Sequence, residues 1–129
     1  MLFYLKEITR IKGVCYSNQW QIATIIRTRN YINSNLDKEL NLDSLSKTHF
    51  ASKFHLLRLF KKYYGQTPIQ YLTDKRIEKA KKLLNEGLNV TETCFDVGFE
   101  SPSSFCTLFK NRVGVSPSKY KKSIFAKSD

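Results

Sequence analysis

Residues 50–71 read FASKFHLLRLFKKYYGQTPIQY, and residues 99–120 read FESPSSFCTLFKNRVGVSPSKY. At an offset of 49 positions the two stretches agree without a gap at Phe50/Phe99, Ser52/Ser101, Leu56/Phe105, Leu59/Leu108, Phe60/Phe109, Lys61/Lys110, Gly65/Gly114, Thr67/Ser116, Pro68/Pro117 and Tyr71/Tyr120. Repetition in one frame marks a duplicated supersecondary unit, so the chain carries two copies of one working surface. In each copy a serine able to cap a helix precedes apolar residues at helical spacing, a glycine supplies a left-handed stop, and Thr-Pro or Ser-Pro starts a new helix.

The flanks extend the pattern. Leu42–Lys47 reads as a short helix with Asn41 or Asp43 as its N-cap, and Val90–Val97 is its counterpart in the second copy, with Gly98 in the turn. Each short helix joined so closely to the next makes a helix-turn-helix. Ser46 and Cys94 fall at equivalent places in the short helices, where a small side chain lets paired helices approach. From Thr67-Pro68 to Asn85 runs the longest helix, with Ile69, Leu72, Ile77, Ala80, Leu83 and Leu84 as its core stripe and Gly87 as its end. Ser116-Pro117 opens a short last helix bearing Lys119, Lys121 and Lys122. Upstream, Ile22, Ile25, Ile26, Ile32 and Leu36 predict an amphipathic first helix.

No alternating strand pattern of useful length appears. The expected fold is all-α: two helix-turn-helix subdomains joined by a long central helix. The expected organisation is a first unit over about 22–66, a joining helix over about 67–86 and a second unit over about 89–123, together one DNA-binding domain over 21–125. Residues 1–20 stand apart as an N-terminal segment, in which Leu2, Leu5, Ile8 and Ile11 hint at a short docking helix.

The chain of 129 residues has room for one domain or two very small ones, not for a large catalytic cleft. Its net charge of +11 points to a polyanionic partner. The excess is concentrated: from Lys47 to Lys82 ten basic residues face two acids, Asp74 and Glu78. Three scattered cysteines, Cys15, Cys94 and Cys106, suit a reducing interior and offer no zinc-binding spacing. No apolar run reaches the length of a signal peptide or a membrane span, which reads as a cytoplasmic protein. Enzymatic chemistry finds no footing. The two histidines, His49 and His55, lie inside the first repeat without a nucleophile, carboxylate pair or phosphate loop. No metal or catalytic cofactor is expected.

A helix-turn-helix presents the N-terminal part of its second helix to the major groove of duplex DNA, where base edges are exposed. These reading helices fall at about 52–64 and 101–113. On the first, the face opposite Leu56, Leu59 and Phe60 displays Lys53, Phe54, Leu57, Arg58 and Lys61. Arg58 can reach guanine through two donors, with an intrahelical or backbone role as its alternative, while Phe54 and Leu57 can touch thymine methyls; the alternatives for Phe54 are a stray surface aromatic and part of the core. Lys61 and Lys62 suit phosphate, which sets affinity and register without reading sequence. The second reading face is Pro102, Ser103, Ser104 and Thr107, with Lys110 and Asn111 a turn later. Ser103 and Ser104 admit plain N-terminal capping as well as base contact. Ser52, His55, Lys61, Lys62, Thr67, Lys110, Asn111 and Ser116 make up the phosphate set.

From about Asn33 to Lys122 the sequence resembles the DNA-binding domain of the AraC/XylS family of bacterial transcription regulators. The parallels are SKFHLLRLFKKYYGQTPIQYLTDKRIEKAKKLL and DVGFESPSSFCTLFKNRVGVSPSKYK. The resemblance implies that each repeat inserts one helix into the major groove, in successive grooves of one site, with Phe54, Leu57 and Arg58 in the first and Pro102, Ser103, Ser104 and Thr107 in the second. It also implies activation of transcription through RNA polymerase, and a place on the nucleoid. Pro102 and Thr107 depart from the family pattern, which favours a polar residue and a long basic one there. Family members often carry a separate sensing or dimerisation domain, which twenty residues are too few to form. The competing reading is a sequence-blind binder of anionic nucleic acid or membrane, for which Lys75, Lys79 and Lys82 would form a stripe.

Overall fold

The computed structural model describes residues 19–48 and 52–126, and all regular structure among them is helical. Helix α1 covers residues 19–34. It is followed by α2 (Leu42–Thr48), α3 (Lys53–Tyr64), α4 (Pro68–Asn85), α5 (Val90–Asp96), α6 (Pro102–Val113) and α7 (Pro117–Ala126). Two compact units emerge. One joins the described residues up to Tyr31 with those of Leu42–Pro68, and the other joins Ile32–Asn41 with those from Ile69 onward. Phe50 and His49, the N-terminal stripe and Cys15 lie outside the described residues.

In the first unit α2 packs against α3. Ser52 caps α3 by accepting the His55 backbone N–H at 3.1 Å, and Gly65, at φ +72°, closes it by donating to the Lys61 carbonyl. Leu56, Leu59 and Phe60 are buried as their spacing predicts, as is Leu45 of α2. Helix α1 differs from expectation. Ile25 is buried, but Ile22 and Ile26 are exposed, and the buried positions beside Ile25 are Thr24 and Thr28. The threonines tolerate burial because each returns its hydroxyl proton to the preceding turn, Thr24 to the Trp20 carbonyl and Thr28 to the Thr24 carbonyl, both at 2.8 Å. Asp43 sits inside the first turn of α2, so it favours the helix dipole instead of capping it; Asn41 is the residue that precedes Leu42. Arg29 donates to the Tyr64 hydroxyl at 3.1 Å, tying α1 to the end of α3.

The second unit repeats the design. Asn89 caps α5, and Ser101 caps α6 by accepting the Ser104 N–H at 3.3 Å, with Pro102 in the first turn. Gly114, at φ +97°, stops α6, and the Ser116 hydroxyl accepts the Lys119 N–H at 3.2 Å to start α7. The core gathers Ile77, Ala80, Leu84, Cys94, Val97, Phe99, Phe105 and Phe109, with Leu83, Leu108 and Tyr120 packed at its margin. Three phenyl rings run through it, Phe99 to Phe105 at 5.2 Å and Phe105 to Phe109 at 5.7 Å between centroids. Ile69, assigned to the α4 core stripe, is exposed. Tyr71 is buried there instead, its hydroxyl donating to Asn33 Oδ1 at 3.1 Å. Burial of its hydroxyl is tolerated because Asn33 accepts it.

Candidate nucleic-acid interface

Helix α3 begins at the serine cap, so its first-turn side chains leave the body of the unit. Phe54 is 72% exposed, which excludes the core as its place. Lys53, Arg58, Lys61 and Lys62 are exposed and Leu57 and His55 half-buried, and the first turn contains no acid. Three of these residues have partners that the sequence did not disclose. Lys53 Nζ lies 3.2 Å from Asp43 Oδ1 of α2. The His55 ring stacks on Trp20, with centroids 6.2 Å apart and planes at 29°, so His55 is more packing partner than open polar residue. Lys62 Nζ stands 5.4 Å from the Tyr63 ring centre.

Helix α6 offers a different chemistry. Pro102, Ser103, Ser104, Thr107, Lys110 and Asn111 are exposed. Ser103, Ser104 and Thr107 border a surface hollow with Leu108. Capping of α6 falls to Ser101, whose hydroxyl also donates to Ser104 Oγ at 3.1 Å, while Ser103 takes no part in the cap. Thr107 Oγ1 donates to the Ser103 carbonyl at 3.0 Å. Further along, Arg112 is ion-paired with Asp74 of α4. Thr67, half-buried, precedes α4, and Ser52 and Ser116 both act as helix caps.

The basic segment Lys47–Lys82 is less open than its count suggests. Arg76 turns inward, its Nε donating to the Leu36 carbonyl and Nη2 to the Lys38 carbonyl, each at 2.8 Å, with the guanidinium 5.6 Å from the Phe99 ring centre. Burial lowers the Arg76 pKa, and the nearby carboxylates of Asp37 and Glu100 pull it back up. Lys75 pairs with Glu78 at 3.3 Å, and Lys75, Lys79 and Lys82 share one hollow with Glu78 and Glu86. The stripe expected for a sequence-blind binder is thus interrupted by acids. Burial, with Cys106 beside it, raises the Cys94 pKa, so this thiol stays neutral. Among the described residues no group of three His, Cys, Asp or Glu side chains could hold a metal ion, and no helix is long and apolar enough to cross a membrane.

Residues 45–123 match the family model described as a helix-turn-helix domain. The transcriptional activator AarP of Providencia stuartii is 35% identical over 104 residues, which are 80% of this chain and 77% of AarP. The chain belongs to the AraC/XylS family. Solved AraC-type domains agree. The C-terminal domain of AraT, a response regulator from Geobacillus stearothermophilus, superposes with a TM-score of 0.75 at 33% identity, covering 78% of this chain and 84% of that one. The DNA-binding domain of AdpA in complex with a target DNA superposes with a TM-score of 0.77 at 24% identity, covering 80% and 94%, and shares the fold. The chain spans less than half the length of some curated relatives, 44% of one and 31% of another.

Sequence reasoning missed Trp20 and Asp43 as neighbours of α3, and the inward contacts of Arg76. Trp20, 46% exposed at the start of α1, carried no sequence signal of its stacking on His55. Asp43 and Arg76 had none, because their partners are distant in the chain.

Proposed function

We propose that this protein is a sequence-specific DNA-binding transcription regulator, an activator, organised as one double helix-turn-helix domain over about 21–125. The observation that carries this reading is the pairing of α3 and α6 in a chain of net charge +11: each is serine-capped, free of acid in its first turn and exposed along the same repeated face. Positive helix ends with no acid in their own first turns suit a polyanion, and the repeated face suits base edges in successive major grooves.

Lys53, Phe54, Leu57 and Arg58 of the first helix, and Pro102, Ser103, Ser104 and Thr107 of the second, form the base-contact set. Ser52, His55, Lys61, Lys62, Thr67, Lys110, Asn111 and Ser116 form the phosphate set, in which Ser52 and Ser116 retain a hydroxyl proton to donate while capping. Activation proceeds through RNA polymerase, in line with the activator AarP, and the protein works on the nucleoid in the cytoplasm without enzymatic activity of its own. Selection of bound sites from a random duplex pool tests the reading. The expected result is a defined consensus, and enrichment of no sequence over the starting pool refutes it.

A further inference from the structure

The reading face of α6 has hydroxyls where a long basic side chain would donate to guanine. Ser103, Ser104 and Thr107 border a surface hollow of about 340 Å³. A hydroxyl carries one proton and two lone pairs. Thr107 commits that proton to the Ser103 carbonyl at 3.0 Å, one turn back along the helix. A carbonyl oxygen can only accept, so the direction of this bond is not in doubt. What Thr107 Oγ1 still offers outward is acceptor capacity alone.

In the major groove the only donors on base edges are the amino groups of adenine and cytosine, whereas guanine and thymine present acceptors at the corresponding carbonyl positions. An acceptor-only oxygen meets an amino group favourably and a carbonyl oxygen unfavourably. We infer that Thr107 is a specificity-determining residue that selects an amino-bearing base, adenine or cytosine, on the strand it faces. This rests on the reading of α6 as a major-groove helix. It gives the second half-site a chemistry opposite to the first, where Arg58 donates to guanine. The methyl group of Thr107 supplies the rival outcome, contact with the methyl of thymine.

The test is site selection from one random duplex pool by the wild-type protein, T107V and T107S. Valine keeps the shape and removes the oxygen; serine keeps the hydroxyl and removes the methyl. At the base pair that responds to T107V, replacing its adenine by purine, or its cytosine by 2-pyrimidinone, deletes the amino group; this should weaken binding by the wild-type protein and T107S by about three- to tenfold, the range of one neutral hydrogen bond, and leave T107V unchanged. An equal loss for T107V, or no loss for the wild-type protein, overturns the inference, as does a preference kept by T107V and lost by T107S. A defined wild-type consensus with no position responding to T107V also overturns it. Those outcomes leave DNA reading intact, whereas a wild-type protein that selects no site at all refutes the DNA-reading function itself. Circular dichroism of each variant confirms that the exposed substitution leaves the helices formed.

Discussion

Arg58 and Lys62 stand one turn apart on α3, yet their removal should fail in different ways. A planar guanidinium matches two acceptors of guanine and is worth about 1–3 kcal/mol of discrimination, while an ammonium near a phosphate is indifferent to sequence. Arg58→Ala should therefore relax the consensus at one or two base pairs of the first half-site. Lys62→Ala should weaken binding to every duplex alike and flatten the salt slope by roughly one unit. An unchanged consensus for Arg58→Ala would remove α3 as the principal reader. Lys53 tests a subtler point, since Asp43 lies 3.2 Å from its ammonium in an exposed pair. Such pairs are worth about 0–1 kcal/mol, so DNA can displace Asp43 readily, but its charge still opposes phosphate. Asp43→Asn should raise affinity for random duplex about two- to fivefold, by the Coulomb interaction it removes, and Lys53→Ala in the same background should cancel the gain. The exposed face of α3 was legible because helical period and a serine cap place its residues on one side. Their partners were not, because Asp43 belongs to another helix.

At the scale of elements, caps and stops were the most legible features. Ser52, Gly65, Ser101, Gly114 and Ser116 do locally what their residue types favour: hydroxyls accept orphan N–H groups and glycines adopt left-handed backbone. Gly87 and Gly98 show where local reading stops. Their φ angles are nearly equal, +101° and +99°. A methyl group added at Gly87 meets nothing within 4 Å, but at Gly98 it would lie 2.3 Å from the Leu36 carbonyl oxygen and 3.0 Å from Arg76 Nε and Nη2. Gly87→Ala should cost about 1–2 kcal/mol, the usual left-handed penalty. Gly98→Ala should cost clearly more, because the carbonyl it strikes is the one that Arg76 holds. Urea denaturation of the two variants checks this, and equal losses would contradict it. The isoleucines of α1 make the same point: period alone treated Ile22 and Ile26 as core, while threonines with internally bonded hydroxyls took the buried face.

For the whole molecule, on the proposed function, the net charge of +11 would set how strongly duplex DNA is attracted, and the exposed faces of α3 and α6 would set which duplex wins. Affinity should fall steeply as salt rises, and a selected site should exceed random duplex by roughly a thousandfold or more. Competition titrations at several salt concentrations measure both quantities. Equal affinity for all duplexes would favour the sequence-blind alternative. The inward turn of Arg76 takes one cation off the open surface, and the Lys53–Asp43, Lys75–Glu78 and Arg112–Asp74 pairs offset three more, so the salt slope should report fewer phosphates than the basic count of the chain.

The duplicated pattern, the all-helical class, the boundaries of α3, α4 and α6 and the charge concentration follow from sequence, because period, caps, prolines and glycines act within a few residues of themselves. Three matters were decided only by the tertiary structure. Arg76 became an internal strut, since the carbonyls of Leu36 and Lys38 come to it from some forty residues away. His55 became a stacking partner of Trp20. Tyr71 became a buried residue of α4, its hydroxyl accepted by Asn33. In each case the deciding quantity is whether a polar group finds a partner across the chain, and that is a property of the folded arrangement, not of any window of sequence.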